Sequence, residues 1–328
     1  MKPMDGLISP WRLHRLGILG MNRRNVGYIG RYNPRSRFPL VDDKLKTKLI
    51  ATDAGVTVPE LLRVIETQHD VRDVCDSLTD LRGFAIKPSR GSGGKGILVI
   101  VDRDGEKFIK SSGDTVTLED IQRHLSNILS GLYSLGGRPD VSILEALVSV
   151  DPVFAEISYE GVPDIRLIVF QGYPVMGMLR LATRASDGKA NLHQGAVGVG
   201  LDIATGQGIA AVQFDRPVDR HPDTGASLES IQVPNWLRLV TLASRCFEVT
   251  GLGYLGTDIV LDREHGPMVL EFNARPGLTI QVANERGLRP RLAAVECLRE
   301  RHTTVDQRVQ WAMTHFAHAA TNSSAHTS

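Results

Sequence analysis

Three oxygen-bearing side chains near the end of the sequence could share one site. Asp258 comes directly before the apolar run Ile259–Leu261. Glu271 and Asn273 come soon after a second apolar run, Met268–Leu270. The polar stretch between the runs predicts an antiparallel hairpin, in which Asp258 starts the first strand and lies opposite Glu271. Residues two apart on a strand face the same side of it, so Asn273 shares the face of Glu271.

Two carboxylates and a carboxamide form an all-oxygen set of ligands. Such a set suits Mg2+, which takes a few protein oxygens and completes its coordination with water and substrate phosphates. Mn2+ is the alternative metal. Arg275 follows and places a cation beside the predicted metal site. The alternative interpretation is an ordinary surface hairpin with acidic ends, but Glu271-Phe272-Asn273 would be a poor end to an apolar strand without a ligand.

A second candidate is the glycine-rich stretch that follows a short predicted strand, Phe84–Pro88. The stretch covers residues 89–96, and a further strand is predicted at Ile97–Val101. Glycines let backbone N–H groups approach a polyphosphate closely, and the stretch could move as a lid. It is not a Walker A motif, because no Ser or Thr follows Lys95. The alternative is a flexible hairpin tip, but Lys87 at the end of an apolar strand favours an anion site.

Predicted helices and a hairpin would position these groups. A helix capped by Asp42 precedes the glycine-rich stretch, and a capping box at Thr117–Asp120 begins another helix. A hairpin over residues 165–181 carries Asp164 and Arg166 at its entrance. A polar loop ending in glycine follows this hairpin, and a helix then leads into the predicted metal site.

The composition is that of a globular protein with two or three lobes. The chain has 328 residues, of which 42% are hydrophobic and 23% charged, and its formal net charge is +1. This charge argues against a nucleic-acid partner. No apolar run approaches the ~20 residues of a membrane span, and the N-terminus lacks a signal-peptide pattern. The three cysteines show no zinc or disulfide spacing, so we expect a reducing, cytoplasmic location.

The first forty residues are strongly basic, with seven arginines against one acid, Asp5. One interpretation is a solvated leader that packs on an acidic face of the protein. The other is a docking surface for an anionic acceptor or partner. Both remain open from the sequence.

The order of these motifs resembles the ATP-grasp superfamily, and within it the RimK-type alpha-L-glutamate ligase-like branch. The resemblance covers about residues 42–290. Its motifs are Lys87-Pro88 with the glycine-rich stretch, Asp164-Ile165-Arg166, Asn191-Leu192-His193-Gln194-Gly195, and Glu271-Phe272-Asn273-Ala274-Arg275-Pro276-Gly277. It implies an α/β (α+β) fold in which two lobes of antiparallel sheet plus helices clasp ATP.

The resemblance also implies roles for individual residues. Those expected to bind ATP are Lys44 and Lys87 at the phosphates, Gly91, Ser92, Gly93, Gly94 and Gly96 in the loop over them, Glu145 and Leu147 at an adenine hinge, and Asp164 near the ribose. Those expected to face the acceptor and the transferred phosphate are Arg166, Arg184, Lys189, Asn191 and His193, with Arg275 beside the metal. Asp258, Glu271 and Asn273 would hold Mg2+. For His193, a general base and a loop histidine that shapes the pocket are both open.

The function implied is an ATP- and Mg2+-dependent carboxylate–amine ligase that works through an acylphosphate. It would add an amino acid such as glutamate to a carboxylate acceptor, either a small molecule or a peptide or protein. Alternatives that keep the fold are a small-molecule kinase and a non-catalytic ATP-binding subunit. The two substrates and the oligomeric state are left open.

Four regions are predicted: a basic leader at 1–41, a linker helix and glycine-loop lobe at 42–150, a catalytic lobe at 151–302, and a helix with a disordered tail at 303–328. The leader is shorter than the N-terminal α/β domain of many ATP-grasp proteins. We therefore expect an acceptor surface that is reduced or completed by another subunit. Gln194-Gly195-Ala196 replaces the basic residue and second glycine of ribosomal-protein glutamate ligases, which leaves glutamate specificity open.

Overall fold

A computed structural model describes residues 9–91, 93–134, 136–154 and 156–318, which contain the two antiparallel sheets that the sequence predicts. The smaller sheet consists of β1 (Leu61–Ile65), β2 (Phe84–Pro88), β3 (Leu98–Asp104), β4 (Lys107–Lys110), β5 (Thr115–Val116) and β6 (Ser142–Ala146). Its strand order is β1-β6-β2-β3-β4-β5. We call this sheet and the helices on it the small lobe.

The larger sheet forms the large lobe and has seven strands. They are β7 (Asp164–Phe170), β8 (Tyr173–Leu181), β9 (Val197–Leu201), β10 (Gly208–Gln213), β11 (Arg216–Pro217), β12 (Tyr254–Asp262) and β13 (Gly266–Asn273). Their order is β11-β10-β9-β8-β7-β12-β13, and each neighbouring pair is antiparallel. Strands β7, β8 and β12 are buried on both faces, so this sheet lies inside the molecule rather than on its surface.

Helices cover both sheets. The α-helices are α1 (Pro10–Arg15), α2 (Met21–Arg23), α3 (Gly30–Tyr32), α4 (Lys44–Asp53), α5 (Gln68–Arg72), α6 (Val74–Leu78), α7 (Leu118–Leu129), α8 (Trp236–Thr250), α9 (Ile280–Ala283), α10 (Arg289–Glu296) and α11 (Val305–His315). A π-helical turn at Arg24–Ile29 joins α2 to α3, and 3-10 turns lie at Arg35–Leu40, Pro152–Phe154, Arg184–Ser186 and Leu192–Gln194.

Helix α7 shows how sequence pattern becomes packing in the small lobe. Thr117 and Asp120 form the predicted capping box, in which each side chain accepts a hydrogen bond from the other residue's backbone N–H. Ile121, Leu125 and Ile128 then recur at helical spacing and are fully buried against the sheet. The linker helix α4 also forms, but its cap is Asp43 rather than the predicted Asp42.

The predicted metal hairpin is present and longer than expected. Strand β12 begins at Tyr254, so Asp258 lies in the middle of the strand and the prediction that it starts the strand is wrong. The reason is that Tyr254 and Thr257 are fully buried, which extends the strand into a stretch without apolar alternation. Asp258 does pair with Glu271 across the hairpin, as predicted.

The basic leader packs on the large lobe through hydrogen bonds to its backbone. The side-chain amide of Asn33 donates to the carbonyl of Tyr254 at 2.8 Å and its oxygen accepts from the Tyr254 N–H at 2.8 Å. Arg24 donates to the carbonyl of Pro276 at 2.9 Å. The described part of the leader therefore lies against the start of β12 and the chain segment that follows β13.

The predicted C-terminal helical region is split into α10 and α11. The predicted tail at 321–328 lies outside the described residues. In the part of the chain that the structure covers, no helix is long and apolar enough to cross a membrane.

Candidate active site

The two lobes meet at a cleft whose cavity measures about 100 Å3. From the small-lobe side it is lined by Lys44, Thr47, Lys48, Val58, Lys87, Ile97 and Glu145, and from the large-lobe side by Val269, Leu270 and Glu271. Four residues predicted from sequence, Lys44, Lys87, Glu145 and Glu271, are thus brought to one cavity. We call it the lysine cleft.

A buried carboxylate organises the lysines of this cleft. Glu145 lies in β6 beside Lys87 of β2, and its carboxylate accepts from the ammonium groups of Lys87 and, at 3.0 Å, of Lys48 in α4. Burial alone would raise the pKa of Glu145, but the two ammonium groups hold this pKa below its usual value. Burial lowers the pKa of Lys48, which Glu145 partly offsets.

This geometry fixes the lysines and leaves Glu145 no free carboxylate oxygen in the cleft. Glu145 is 4% exposed, and its carboxylate is used to bind the two lysines. Leu147 lies just beyond the end of β6. The assignment of Glu145 and Leu147 to an adenine hinge stays a prediction.

The start of α4 is attached to the glycine-rich loop. The ammonium group of Lys44 donates to the carbonyl of Gly91 at 2.7 Å. The backbone N–H of Lys44 donates to the carbonyl of Ser89 at 2.8 Å, and the Ser89 hydroxyl donates to the Asp43 carboxylate at 2.6 Å. Helix α4 and the start of the loop are therefore hydrogen-bonded to each other, with a cation at their junction.

Within the loop, Gly93, Gly94 and Gly96 adopt positive φ angles, which glycine adopts without strain. A β-carbon on Gly96 would lie 2.5 Å from Cγ of Tyr133, so this glycine also permits a close approach. The imidazole of His124 hydrogen-bonds the Gly96 carbonyl at 2.9 Å. The end of the loop thus rests on α7 and the turn after it, while Ser92 lies outside the described residues.

On the large lobe, four charged side chains from three neighbouring strands form a buried network. Arg166 of β7 donates to both carboxylate oxygens of Asp258 in β12, through Nε at 2.7 Å and Nη2 at 2.5 Å. Arg180 of β8 donates to Asp258 at 2.8 Å and also forms an ion pair with Asp164. We call this the Asp–Arg network.

The two carboxyl groups of the network differ in pKa. Burial raises the pKa of Asp164 to about 6, since only Arg180 bonds to it and Asp258 repels its charge. Burial acts on Asp258 too, but Arg166 and Arg180 outweigh it and lower the pKa of Asp258 to about 2. Asp258 therefore stays ionised to a lower pH than Asp164 does.

The donor set fits Mg2+ in part. Glu271 faces the lysine cleft, and among the described residues the side-chain oxygen of Asn273 accepts one hydrogen bond, from the Arg275 N–H at 2.9 Å, so both can offer oxygen to a cation. The Asp258 oxygens already accept three guanidinium bonds, so Asp258 would share its charge between the arginines and a metal. Among the described residues, no three His, Cys, Asp or Glu side chains are grouped to hold a metal ion.

The remaining predicted residues lie outside the lysine cleft. Arg184 stacks over Tyr159 at 5.3 Å, and Lys189 forms an ion pair with Asp187 at 2.9 Å. Asn191 accepts the backbone N–H of His193 at 3.1 Å, which begins the 3-10 turn after β8.

These four residues share the loop between β8 and β9. Arg275 is separate: it is half exposed, ion-paired with Asp42 at 3.1 Å, and stacked over Phe38.

Sequence reasoning missed Lys48 and Arg180. Lys48 follows Lys44 by four residues on α4, so helical spacing would have placed both on one face. Arg180 pairs with Asp164 across the β7–β8 hairpin, but a bulge at Ile168/Val169 shifts the register by one residue. Counting from the turn without the bulge would place Leu179 there instead.

Comparison with known families supports the resemblance found in the sequence. A family model described as "Sugar-transfer associated ATP-grasp" matches residues 23–297. A curated protein of Maridesulfovibrio salexigens, named "Probable alpha-L-glutamate ligase", is 25% identical over 239 residues. The aligned region covers 72% of this chain and 56% of that relative, so this chain spans little more than half of the relative's length.

The solved structures of two enzymes are also similar to this chain. The D-cycloserine synthetase DcsG has a TM-score of 0.45 at 18% identity, and the match covers 80% of this chain and 71% of that one. The D-alanine–D-alanine ligase of Bacillus anthracis, complexed with ATP, has a TM-score of 0.42 at 14% identity, covering 84% and 67%.

Proposed function

The chain belongs to the sugar-transfer associated ATP-grasp family, and we propose that it uses ATP and Mg2+ to join a carboxylate to an amine. The observation that carries this proposal is the lysine cleft. Lys44, Lys48 and Lys87 bring three ammonium groups to a cavity that also contains Glu271, and the one acid that pairs with them in the part of the chain that the structure describes is Glu145, which binds Lys48 and Lys87. A cationic cleft of this kind suits the phosphates of ATP.

In the proposed reaction, an oxygen of the acceptor carboxylate attacks the γ-phosphorus of ATP. The bond from that phosphorus to the bridging oxygen breaks, and ADP leaves. The amine nitrogen of the second substrate then attacks the acyl carbon, the bond to the phosphate oxygen breaks, and the nitrogen loses a proton. The products are an amide, ADP and phosphate.

The protein groups would act by position and charge. The lysines hold the β- and γ-phosphates, and Mg2+ bound at Glu271 and Asn273 would offset the charge that develops there. The guanidinium groups of Arg166 and Arg180, paired with Asp258 and Asp164, would hold in place the strands that form the large-lobe side of the cleft. No protein nucleophile is needed, because the acylphosphate is formed on the substrate itself.

Support for the identity of the amine comes from a relative rather than from the geometry of the cleft. The relative named as an alpha-L-glutamate ligase supports an amino acid, such as glutamate, as one substrate. The acceptor is a carboxylic acid on a small molecule or a peptide.

The test measures ADP and phosphate release from Mg-ATP with L-amino acids and carboxylic acids, singly and in pairs. We expect release only with a suitable pair, and a fall of about 100-fold in Glu271→Ala because one preorganised charge is lost. Glu264→Ala is the matched control, since Glu264 is exposed in the turn of the same hairpin.

Three outcomes would contradict the proposal. Full turnover in Glu271→Ala would remove the metal assignment. A stable phosphorylated product without free phosphate would indicate a kinase. Binding of ATP without consumption under every condition would indicate a non-catalytic subunit.

A further inference from the structure

A second cavity, of about 130 Å3, lies in the large lobe between the loop after β8 and the segment that follows β13. Its apolar lining consists of Leu192, Ala196 and Val212. Its remaining lining consists of His193, Phe214, Asp215 and Thr279. Because a water molecule occupies about 30 Å3 in the liquid, this volume has room for a small polar group with a short carbon chain.

The turn that carries two of these residues is strained. Gln213 pairs with Arg216 across the β10–β11 hairpin, so Phe214 and Asp215 form a two-residue turn. Their φ angles are 49° and 59°, the left-handed conformation that such turns usually assign to Asn and Gly. For a bulky aromatic residue this conformation is unfavourable, and such strain is concentrated at functional sites.

The strained turn holds the loop that carries His193. A β-carbon on Gly195 would lie 2.7 Å from Cζ of Phe214, so the ring packs directly on this glycine. The side-chain amide of Gln213 donates to the Gly195 carbonyl at 2.8 Å. Two consecutive residues of the hairpin thus fix the end of the loop, and the next one, Asp215, reaches the cavity.

Asp215 is the acidic group of the cavity. Within the ranges that the structure describes, its carboxylate forms no ion pair or hydrogen bond with another side chain. Phe214 is 61% exposed beside it, an unusual position for an aromatic ring in a strained turn. An exposed carboxylate next to an aromatic face and an apolar floor is a suitable environment for an ammonium group on a short carbon chain.

We propose that this cavity binds the amine substrate, with Asp215 as the counter-ion of its ammonium group and Phe214 over the adjoining carbon. The proposal rests on the proposed ligase function, to which it adds the place where the second substrate docks. His193 lies on the loop between β8 and β9, and Thr279 lies six residues after the candidate ligand Asn273.

The experiment titrates the full-length protein, with Mg2+ and a non-hydrolysable ATP analogue present, with L-amino acids and with their N-acetyl derivatives. Calorimetry measures binding without turnover. We expect at least one free amino acid to bind, its N-acetyl form to fail, and Asp215→Asn to weaken binding at least about tenfold. Asn tolerates the left-handed conformation, so this variant keeps the turn.

Asp219→Asn is the matched control, because Asp219 is an exposed acid just beyond the same hairpin and outside the cavity. Phe214→Gly relieves the strain and removes the ring, so we expect unchanged or higher stability with weaker amine binding. If no amino acid binds, or if Asp215→Asn binds as tightly as wild type, the proposal is wrong.

Parallel assays of phosphate release separate this proposal from the ligase function. Amine binding that depends on Asp215, without any phosphate release, would leave the cavity assignment standing and remove the ligase. Phosphate release with an unchanged KM for the amine in Asp215→Asn would support the ligase function and show that this cavity does not bind the amine.

Discussion

The two sides of the cleft both carry buried charges, but they balance them differently. On the small lobe, Glu145 is shared by Lys48 and Lys87, which leaves positive charge in excess. On the large lobe, the Asp–Arg network matches two carboxylates with two guanidinium groups. The excess can attract a polyanion, whereas the matched set holds its own members in place. The small-lobe side of the cleft is therefore suited to attract a ligand, and the Asp–Arg network on the large lobe acts as a scaffold.

The pKa values of the carboxyl groups express the same difference. Two ammonium groups lower the pKa of the single carboxyl of Glu145 even though it is buried. In the Asp–Arg network Asp164 shares Arg180 with a second carboxylate, and its pKa rises to about 6. The number of cations on each carboxylate, not burial alone, decides the direction.

The largest effect on stability is expected from Arg180→Gln. The change leaves Asp164 buried without its ion-pair partner and removes one of two cations from Asp258. Breaking a buried ion pair from one side costs about 3–5 kcal/mol, so urea unfolding should show a loss of that size. Adding Asp164→Asn should recover part of it, because the orphaned charge disappears.

Arg184→Gln is the control for this prediction, since Arg184 is an exposed arginine in the loop after the same strand. If Arg180→Gln were as stable as this control, the Asp–Arg network would not stabilise the large lobe.

The next largest effect is expected on turnover, from Lys87→Met on the small lobe. The variant removes one ammonium group from the lysine cleft while Lys48 still neutralises Glu145. Loss of one preorganised charge at the phosphates costs about 10²–10³-fold in rate. Steady-state ADP release measures this loss, and thermal unfolding checks that the fold is retained.

Lys46→Met provides the comparison for Lys87→Met. Lys46 lies on α4 between two lysines of the cleft but is exposed and does not line the cavity. Equal losses in the two variants would mean that overall positive charge, rather than the cleft, supports turnover.

A smaller effect is expected on the pH dependence of stability, which should differ in sign between a carboxyl group of the large lobe and one of the small lobe. Because the folded-state pKa of Asp164 is raised, the folded protein takes up a proton before the unfolded chain does, whose Asp pKa is about 3.9. The stability of wild type relative to Asp164→Asn should therefore rise as the pH falls from 7 to 4. The pKa of Glu145 is lowered, so the stability of wild type relative to Glu145→Gln should fall as the pH drops below about 4.3.

Denaturant unfolding at a series of pH values measures both differences. Slopes of the same sign in the two comparisons would show that the lobes do not treat their carboxyl groups differently.

Local pattern predicted much of the site, and long-range contacts account for what it missed. Two apolar runs joined by a polar turn placed Asp258 opposite Glu271, and the strand before the glycine-rich stretch placed Lys87. The bulge that brings Arg180 to Asp164 leaves no local signal, because it depends on packing between strands.

The leader gave the weakest prediction. Its attachments, such as Asn33 to Tyr254, join residues 221 positions apart, and no periodicity in the leader reveals them. The metal ligands were predictable only in part. The register of the β12–β13 hairpin followed from the sequence, but the register of the strands that bring Arg166 and Arg180 to Asp258 did not.

The smallest effect is expected when two glycines of the glycine-rich loop are replaced by alanine and the stability and ATP affinity of the two variants are compared. Gly93 and Gly96 both have positive φ angles, 63° and 76°, so alanine at either position costs about 1 kcal/mol in backbone strain. A β-carbon on Gly96 would also meet Tyr133, whereas a β-carbon on Gly93 would meet no described atom within 4 Å beyond its chain neighbours. Gly96→Ala should therefore lower stability and ATP affinity more than Gly93→Ala.

A double variant decides whether that contact is the cause. In Gly96→Ala with Tyr133→Ala, the obstructing ring is gone, so the ATP affinity should return toward that of Tyr133→Ala alone. Calorimetric titration with Mg-ATP gives the four affinities. If the two changes were additive, the loop would not rest on Tyr133 when nucleotide binds, and a lid that lifts from α7 would replace the fixed loop on the small-lobe side of the cleft.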